Sequence, residues 1–174
     1  MNITKIAAAI LAGTACLVAA PAFATGDFDG SETGTFGVGL TIEQECQINT
    51  SGAGLDFGNT GIIDTTLTTS STIHIECTDT SPFMVGLSAG GSADVDARTL
   101  TDGTNTINYG LYRNAGLTQN WGVTQGVDTF DATADNDGQD ITVYAKVPSH
   151  QNVPSGAYAD TITATIWYDE GIVP

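Results

Sequence analysis

Basic residues are nearly missing from this 174-residue chain, in which four Lys and Arg stand against 20 Asp and Glu. A protein that grips phosphates needs cations to do it, so nucleic acid is excluded as a partner. The same negative field repels anionic membrane surfaces. Histidine is almost as scarce, with His74 and His150 the only two. His74 lies between Ile73 and Ile75 in an alternating stretch and reads as a solvated strand residue, while His150 sits in a Pro/Ser/Asn loop. Neither has metal-ligand spacing such as HExxH. There is no GxSxG elbow and no phosphate-binding glycine loop. Helical periodicity is missing too: no window after residue 24 places apolar residues at i, i+3, i+4 and i+7 over a helix's length. These gaps remove the constellations an enzyme would need and leave a chain built from strands. No cofactor is implied.

The one long apolar run is Ile6 to Ala20, preceded by Lys5 and followed by Ala22-Phe23-Ala24. That layout predicts a secretory signal over residues 1–24, cleaved before Thr25. A lipobox at Cys16 is the rival, but Gly13-Thr14-Ala15 lacks the expected Leu. Removal of the signal leaves 150 residues, enough for one domain. It also leaves Cys46 and Cys77, an even pair in an exported chain, for which a disulfide is the natural expectation. With Lys5 gone, Arg98, Arg113 and Lys146 face all 20 acids, a net charge of −17.

What is present is alternation. Phe36, Val38, Leu40 and Ile42 fall on one face of residues 35–42, with Thr35, Gly37, Gly39 and Thr41 on the other. Such a period-2 pattern predicts a strand with one buried face. It stands behind a Gly- and acid-rich lead, Thr25 to Gly34, so it can pair with its own domain or be handed to another. Glycine on its outward face lets a neighbouring backbone lie close. Further strands are predicted at Leu55–Asn59, Thr72–Cys77, Phe83–Leu87, Arg98–Leu100, Ile107–Arg113 and Ile141–Val147, with short ones near Trp121 and Phe130. The longest is expected over Tyr158–Tyr168, and Asp102-Gly103 signals a turn. Short strands between turn signals predict an all-β antiparallel sandwich.

Three weaker patterns stand beside the alternation. Asp131 to Gly138 resembles a calcium loop if Gly138 takes position six, but Thr133 and Tyr144 then fall on ligand positions they cannot serve. Asn49-Thr50-Ser51 matches a glycosylation sequon, which matters only in a glycosylating host. Trp121 and Trp167 could stack on sugars, the latter from the outward face of the last strand; cover by a neighbouring subunit would use an outward Trp equally well.

Taken together, Phe36 to Ile42 followed by Cys46, Leu55-Asp56-Phe57-Gly58, Ile75-Glu76-Cys77-Thr78, Ile107 to Arg113 and Gly156 to Ile162 running on to Trp167-Tyr168 resemble the spore coat protein U domain family. That family includes the major subunits of archaic (Csu-type) chaperone–usher pili. The resemblance implies an immunoglobulin-like sandwich lacking its last strand (residues 44–174) behind an N-terminal extension (residues 25–43) that carries a donor strand. It implies three kinds of partner: a periplasmic pilus chaperone, an outer-membrane usher, and neighbouring copies of the chain or related pilins. The donor residues would be Phe36, Val38, Leu40 and Ile42; the acceptor groove would be lined by Ile48, Ile162, Ala164 and Ile166. The expected destination is a cell-surface fimbrium reached through the periplasm, supporting adhesion and biofilm formation. Alternatives are a self-complemented spore coat or biofilm matrix protein and a glycan-binding adhesin. The tail after Tyr168 departs from the family pattern.

Overall fold

The computed structural model describes residues 29–78, 80–135 and 137–169. The expected signal segment and most of the tail after Tyr168 lie outside them. The chain divides into two units after Gly39, and the described residues 29–39 of the first carry neither helix nor strand. The second holds eight strands: β1 Cys46–Asn49, β2 Leu67–Cys77, β3 Pro82–Leu87, β4 Arg98–Thr101, β5 Thr106–Tyr112, β6 Phe130–Thr133, β7 Gln139–Val147 and β8 Ala164–Tyr168. They form a five-stranded sheet in the order β1-β2-β7-β5-β4 and a three-stranded sheet in the order β6-β3-β8. Every pairing is antiparallel, and no helix occurs among the described residues.

The core follows from the alternation. Ile73 and Ile75 of β2, Ile141, Val143, Ala145 and Val147 of β7, and Ile107, Tyr109 and Leu111 of β5 point inward from one sheet. Phe83, Val85 and Leu87 of β3 meet them from the other. At roughly 1.5–3 kcal/mol for each large aliphatic or aromatic side chain withdrawn from water, this layer supplies most of the driving force. Cys46 and Cys77 face each other across β1 and β2 and are disulfide-bonded, 31 residues apart in sequence. A loop of that length contributes about 3–4 kcal/mol through the unfolded chain's lost freedom. The expected turn after β4 is present. Gly103 has φ +95°, and the Asp102 carboxylate accepts from the Thr104 and Asn105 amides at 2.8 and 2.7 Å. The Asn105 amide above all holds that carboxyl down at about 2.

Five expectations need correction. No strand forms near Trp121, where Asn120 makes an isolated bridge to Tyr112. β2 begins at Leu67, five residues before the expected start, because Thr68 to Thr72 pair with Lys146 to Thr142 of β7; β-branched Thr suits a half-exposed strand. Leu55–Asn59 is not a strand. The Asp56 carboxylate accepts from the Gly58 amide at 2.8 Å and Gly58 adopts φ +73°, a side-chain-closed turn. The last strand is not the longest: β8 has five residues and β2 has 11. Finally, residues 35–42 form no strand, since no ladder partner exists for them among the described residues.

Candidate functional site

The unusual place in the sandwich is its seam. β1 edges the larger sheet and β8 the smaller; they approach each other, yet among the described residues each hydrogen-bonds to one strand alone, β1 to β2 and β8 to β3. Beside this open edge lies a cleft of about 330 Å³ floored by the core residues Ile73, Leu87, Leu111 and Val143. Its walls are two connecting segments, residues 50–57 and 160–164. A second cleft of about 620 Å³ continues past Leu55, Phe57, Leu100 and Asp160, which line both.

Past the turn at residues 50–53, and up to Ala164 where β8 begins, neither wall forms a strand. Ala53, Leu55 and Phe57 are half-buried while Gly54, Asp56 and Gly58 are exposed; Tyr158, Asp160, Ile162 and Ala164 are half-buried while Ala159, Thr161 and Thr163 are exposed. This is strand periodicity without a strand's ladder, the one bridge being Ala159 to Thr101 of β4.

Of the residues expected to line an acceptor groove, Ile162 and Ala164 line the cleft. Ile166 packs on the core opposite Val85, and Ile48 borders a separate polar recess with His74 and Glu76. Leu55 and Phe57 carry no such expectation from sequence, although their alternation with Asp56 was visible. The donor residues Phe36, Val38, Leu40 and Ile42 are 87, 89, 85 and 70% exposed. Four large apolar side chains in alternation, all in water, form a second unsatisfied feature, contiguous where the exposed Ile62, Val123 and Val127 are scattered.

A polar group interrupts the apolar walls. The Asp160 carboxylate accepts from the Tyr109 hydroxyl at 2.6 Å, the Gly91 amide at 2.8 Å and the Thr161 amide at 2.8 Å. Burial, then the bond to Asp160, pushes the Tyr109 phenol well above its ordinary range. The sign is that of a raised folded-state value: the stabilisation is complete below pH about 10, where an unfolded tyrosine begins to ionise, and is lost as pH rises beyond it. Tyr109→Phe is therefore expected to lose about 1.5–3 kcal/mol at neutral pH and to fall less steeply between pH 10 and 12. Urea melts of the two proteins across that range check it; parallel curves would contradict the assignment. Tyr158, raised by partial desolvation and by Asp102, keeps some alkaline slope in both.

The sugar-stacking role considered for Trp121 is overturned. Its ring is 0% exposed, stacks obliquely on Phe130 at 5.7 Å, and its indole N–H donates to the Val85 carbonyl at 2.7 Å. Trp167 is half-buried against Gly86, where a Cβ would come within 2.7 Å of the ring. His74 pairs with Asp140 at 2.8 Å on the surface, an exposed contact worth little. The calcium-loop reading loses Thr133 and Tyr144 to β6 and β7, and no three acidic, His or Cys ligands converge among the described residues. No helix among those residues is long and apolar enough to cross a membrane.

Comparison with known proteins agrees with this architecture. Protein U of Myxococcus xanthus is 31% identical over 186 aligned residues, covering 97% of this chain and 100% of that protein. Among solved structures, the chaperone–tip adhesion subunit pre-assembly complex of Acinetobacter baumannii Csu pili (CsuC–CsuE) contains a chain that overlays with TM-score 0.53 at 20% identity. The overlay covers 72% of this chain but spans only 40% of that one, so it speaks to fold alone. The minor tip subunit HdaB of the E. coli Hda pilus overlays at TM-score 0.36 and 18% identity, covering 70% of this chain and 78% of that one, too weakly to carry an argument. Residues 32–165 match the Spore Coat Protein U domain, and with most of its length inside that match the chain belongs to the spore coat protein U domain family.

Proposed function

We propose that the protein is a non-catalytic structural subunit of an exported surface fibre, polymerised by handing residues 35–42 to the cleft of the next copy. The observation that carries this reading is the coexistence, on one chain, of an apolar cleft beside an unpaired strand edge and an alternating apolar segment left in water. An incoming strand satisfies an open edge through its backbone while alternate side chains fill pockets. Seating Phe36, Val38, Leu40 and Ile42 contributes roughly 6–12 kcal/mol before ordering costs. The donor segment belongs to the extension at residues 25–43, the acceptor to the domain at 44–174. A periplasmic chaperone would cover the cleft in transit and an outer-membrane usher would direct exchange. The chaperone–pilus complex named above supports a chaperone as partner; adhesion and biofilm formation are the roles such a fibre would serve.

The mature chain, expressed in a periplasm and run unboiled on a denaturing gel, should give a ladder of oligomers that collapses to monomer on boiling. Deleting residues 25–42 should abolish it, and a ladder that survives the deletion would sink the proposal. The match to Protein U over that protein's whole length, within a family described as spore coat proteins, favours a second reading: a coat or matrix protein that completes its own sandwich. That reading gives no ladder from the intact chain.

A further inference from the structure

Asp160 stands where the rest of its wall is apolar, and it is built in rather than tolerated. The loop Ser88–Gly91 is shaped around its carboxylate. A Cβ at Gly90 would lie 2.0 Å from Oδ2 and 2.5 Å from Cγ, and Gly90 holds φ +67°, so both space and backbone conformation ask for glycine. Oδ1 accepts from the Gly91 and Thr161 amides, while Oδ2 accepts from the Tyr109 hydroxyl on β5.

The neighbouring bonds show what this accomplishes. One residue before it, Ala159 exchanges two backbone bonds with Thr101 of β4, at 2.9 and 3.0 Å. Three residues after it, the Thr163 carbonyl accepts from the Ser88 amide at 2.9 Å, and the Thr163 amide donates to the Ser88 hydroxyl at 2.9 Å. Between Ala159 and Thr163 no ladder exists. The Asp160 carboxylate bridges that gap, tying the wall to the Ser88–Gly91 loop and to β5. Between the Ala159 bridge to β4 and the Thr163 bonds to Ser88, the wall keeps its alternation with no ladder of its own.

We infer that Asp160 is a positioning residue for strand capture: its carboxylate fixes the Tyr158–Thr163 wall in a strand-ready conformation before a strand arrives. The inference rests on the donor-strand reading and adds to it the device that keeps the acceptor side prepared. A wall left to fluctuate would have to be ordered during binding, and that ordering weakens capture. The Asn variant keeps an acceptor for the two amides and a partner for the phenol, so it should retain most of the effect; Ala should not.

The test uses the full mature chain carrying Val38→Asp, which disables it as a donor while leaving its cleft intact. The probe is a fluorescent synthetic peptide of residues 34–43, with a scrambled peptide as control. Without further change the chain should bind the peptide and not the scramble. Asp160→Ala should weaken binding about tenfold or more, Asp160→Asn by no more than about threefold, with each monomer still showing a cooperative melt. Equal affinity for Asp160→Ala and its parent overturns the positioning role while leaving strand capture standing. No binding by the parent chain overturns the donor-strand reading itself, and this inference with it. If Asp160→Ala gives no folded monomer, Gly90→Ala and Tyr109→Phe decide: they displace or free the carboxylate without removing it, and unchanged affinity in both overturns the inference.

Discussion

Arg98→Met is expected to abolish the folded protein. Arg98 is 0% exposed, and its guanidinium donates to four backbone carbonyls: Ser88 at 2.8 Å, Val95 at 2.9 Å, and Leu87 and Trp121 at 2.7 Å each. These carbonyls come from the end of β3, the approach to β4 and the Trp121 loop, so one side chain ties three connections that no ladder joins. Burial lowers the Arg98 pKa, with Tyr109, Asp160, Asp128 and Asp96 acting against the shift; arginine nevertheless stays charged. Met fills similar volume but supplies no donor. Leaving buried carbonyls unpaired costs about 1–3 kcal/mol each, and several such losses reach the whole stability of an ordinary domain, about 5–15 kcal/mol. Arg98→Lys keeps the charge but cannot reproduce the planar fork and should lose most of the yield. Periplasmic yield and resistance to protease read the outcome. A folded Met variant melting within a few degrees of wild type would contradict this account.

Val38→Asp is expected to stop polymer growth while monomer still accumulates. Val38 is 89% exposed in the free chain, so the substitution leaves the fold untouched. Its cost appears only when the segment is seated in an apolar cleft. There an unpaired carboxylate loses several kcal/mol, set against a gross gain of roughly 6–12 kcal/mol for the four-residue strand. Thr41→Asp, on the opposite face of the same segment, should assemble almost normally. The pair of variants separates burial of one face from the effect of added charge. Oligomer ladders of equal length from Val38→Asp and wild type would show that this face is never buried.

Alternation made much of the fold legible. Ile73 and Ile75, Phe83 to Leu87, and Ile141 to Val147 announce strands whose inward faces the structure buries. Periodicity reports a face, however, and never the partner. Tyr158–Thr163 and Ala53–Phe57 alternate like strands, and their burial alternates too, but neither joins a ladder beyond the single bridge of Ala159 to Thr101. They are strands in pattern and connections in bonding, and that mismatch falls at the cleft. Trp121 could not be placed because the Val85 carbonyl that its indole meets is close in space and 36 residues away in sequence. Arg98 was hidden for the same reason. A cation so heavily outnumbered by acids suggests a salt link, whereas its direct partners are backbone carbonyls. The Asp160 site needed Gly90 and Tyr109, 70 and 51 residues away, to be recognised as a site at all.

The unpaired edge of β8 and the exposed apolar segment occupy different places on the chain. A contact between two unlike patches is heterologous, and where its rotation does not close a ring, satisfying one copy presents a fresh patch on the next. On the donor-strand reading the product has direction, with one end that offers a cleft and one that offers a strand. Termination must come from a different chain, one that lacks either the cleft or the strand.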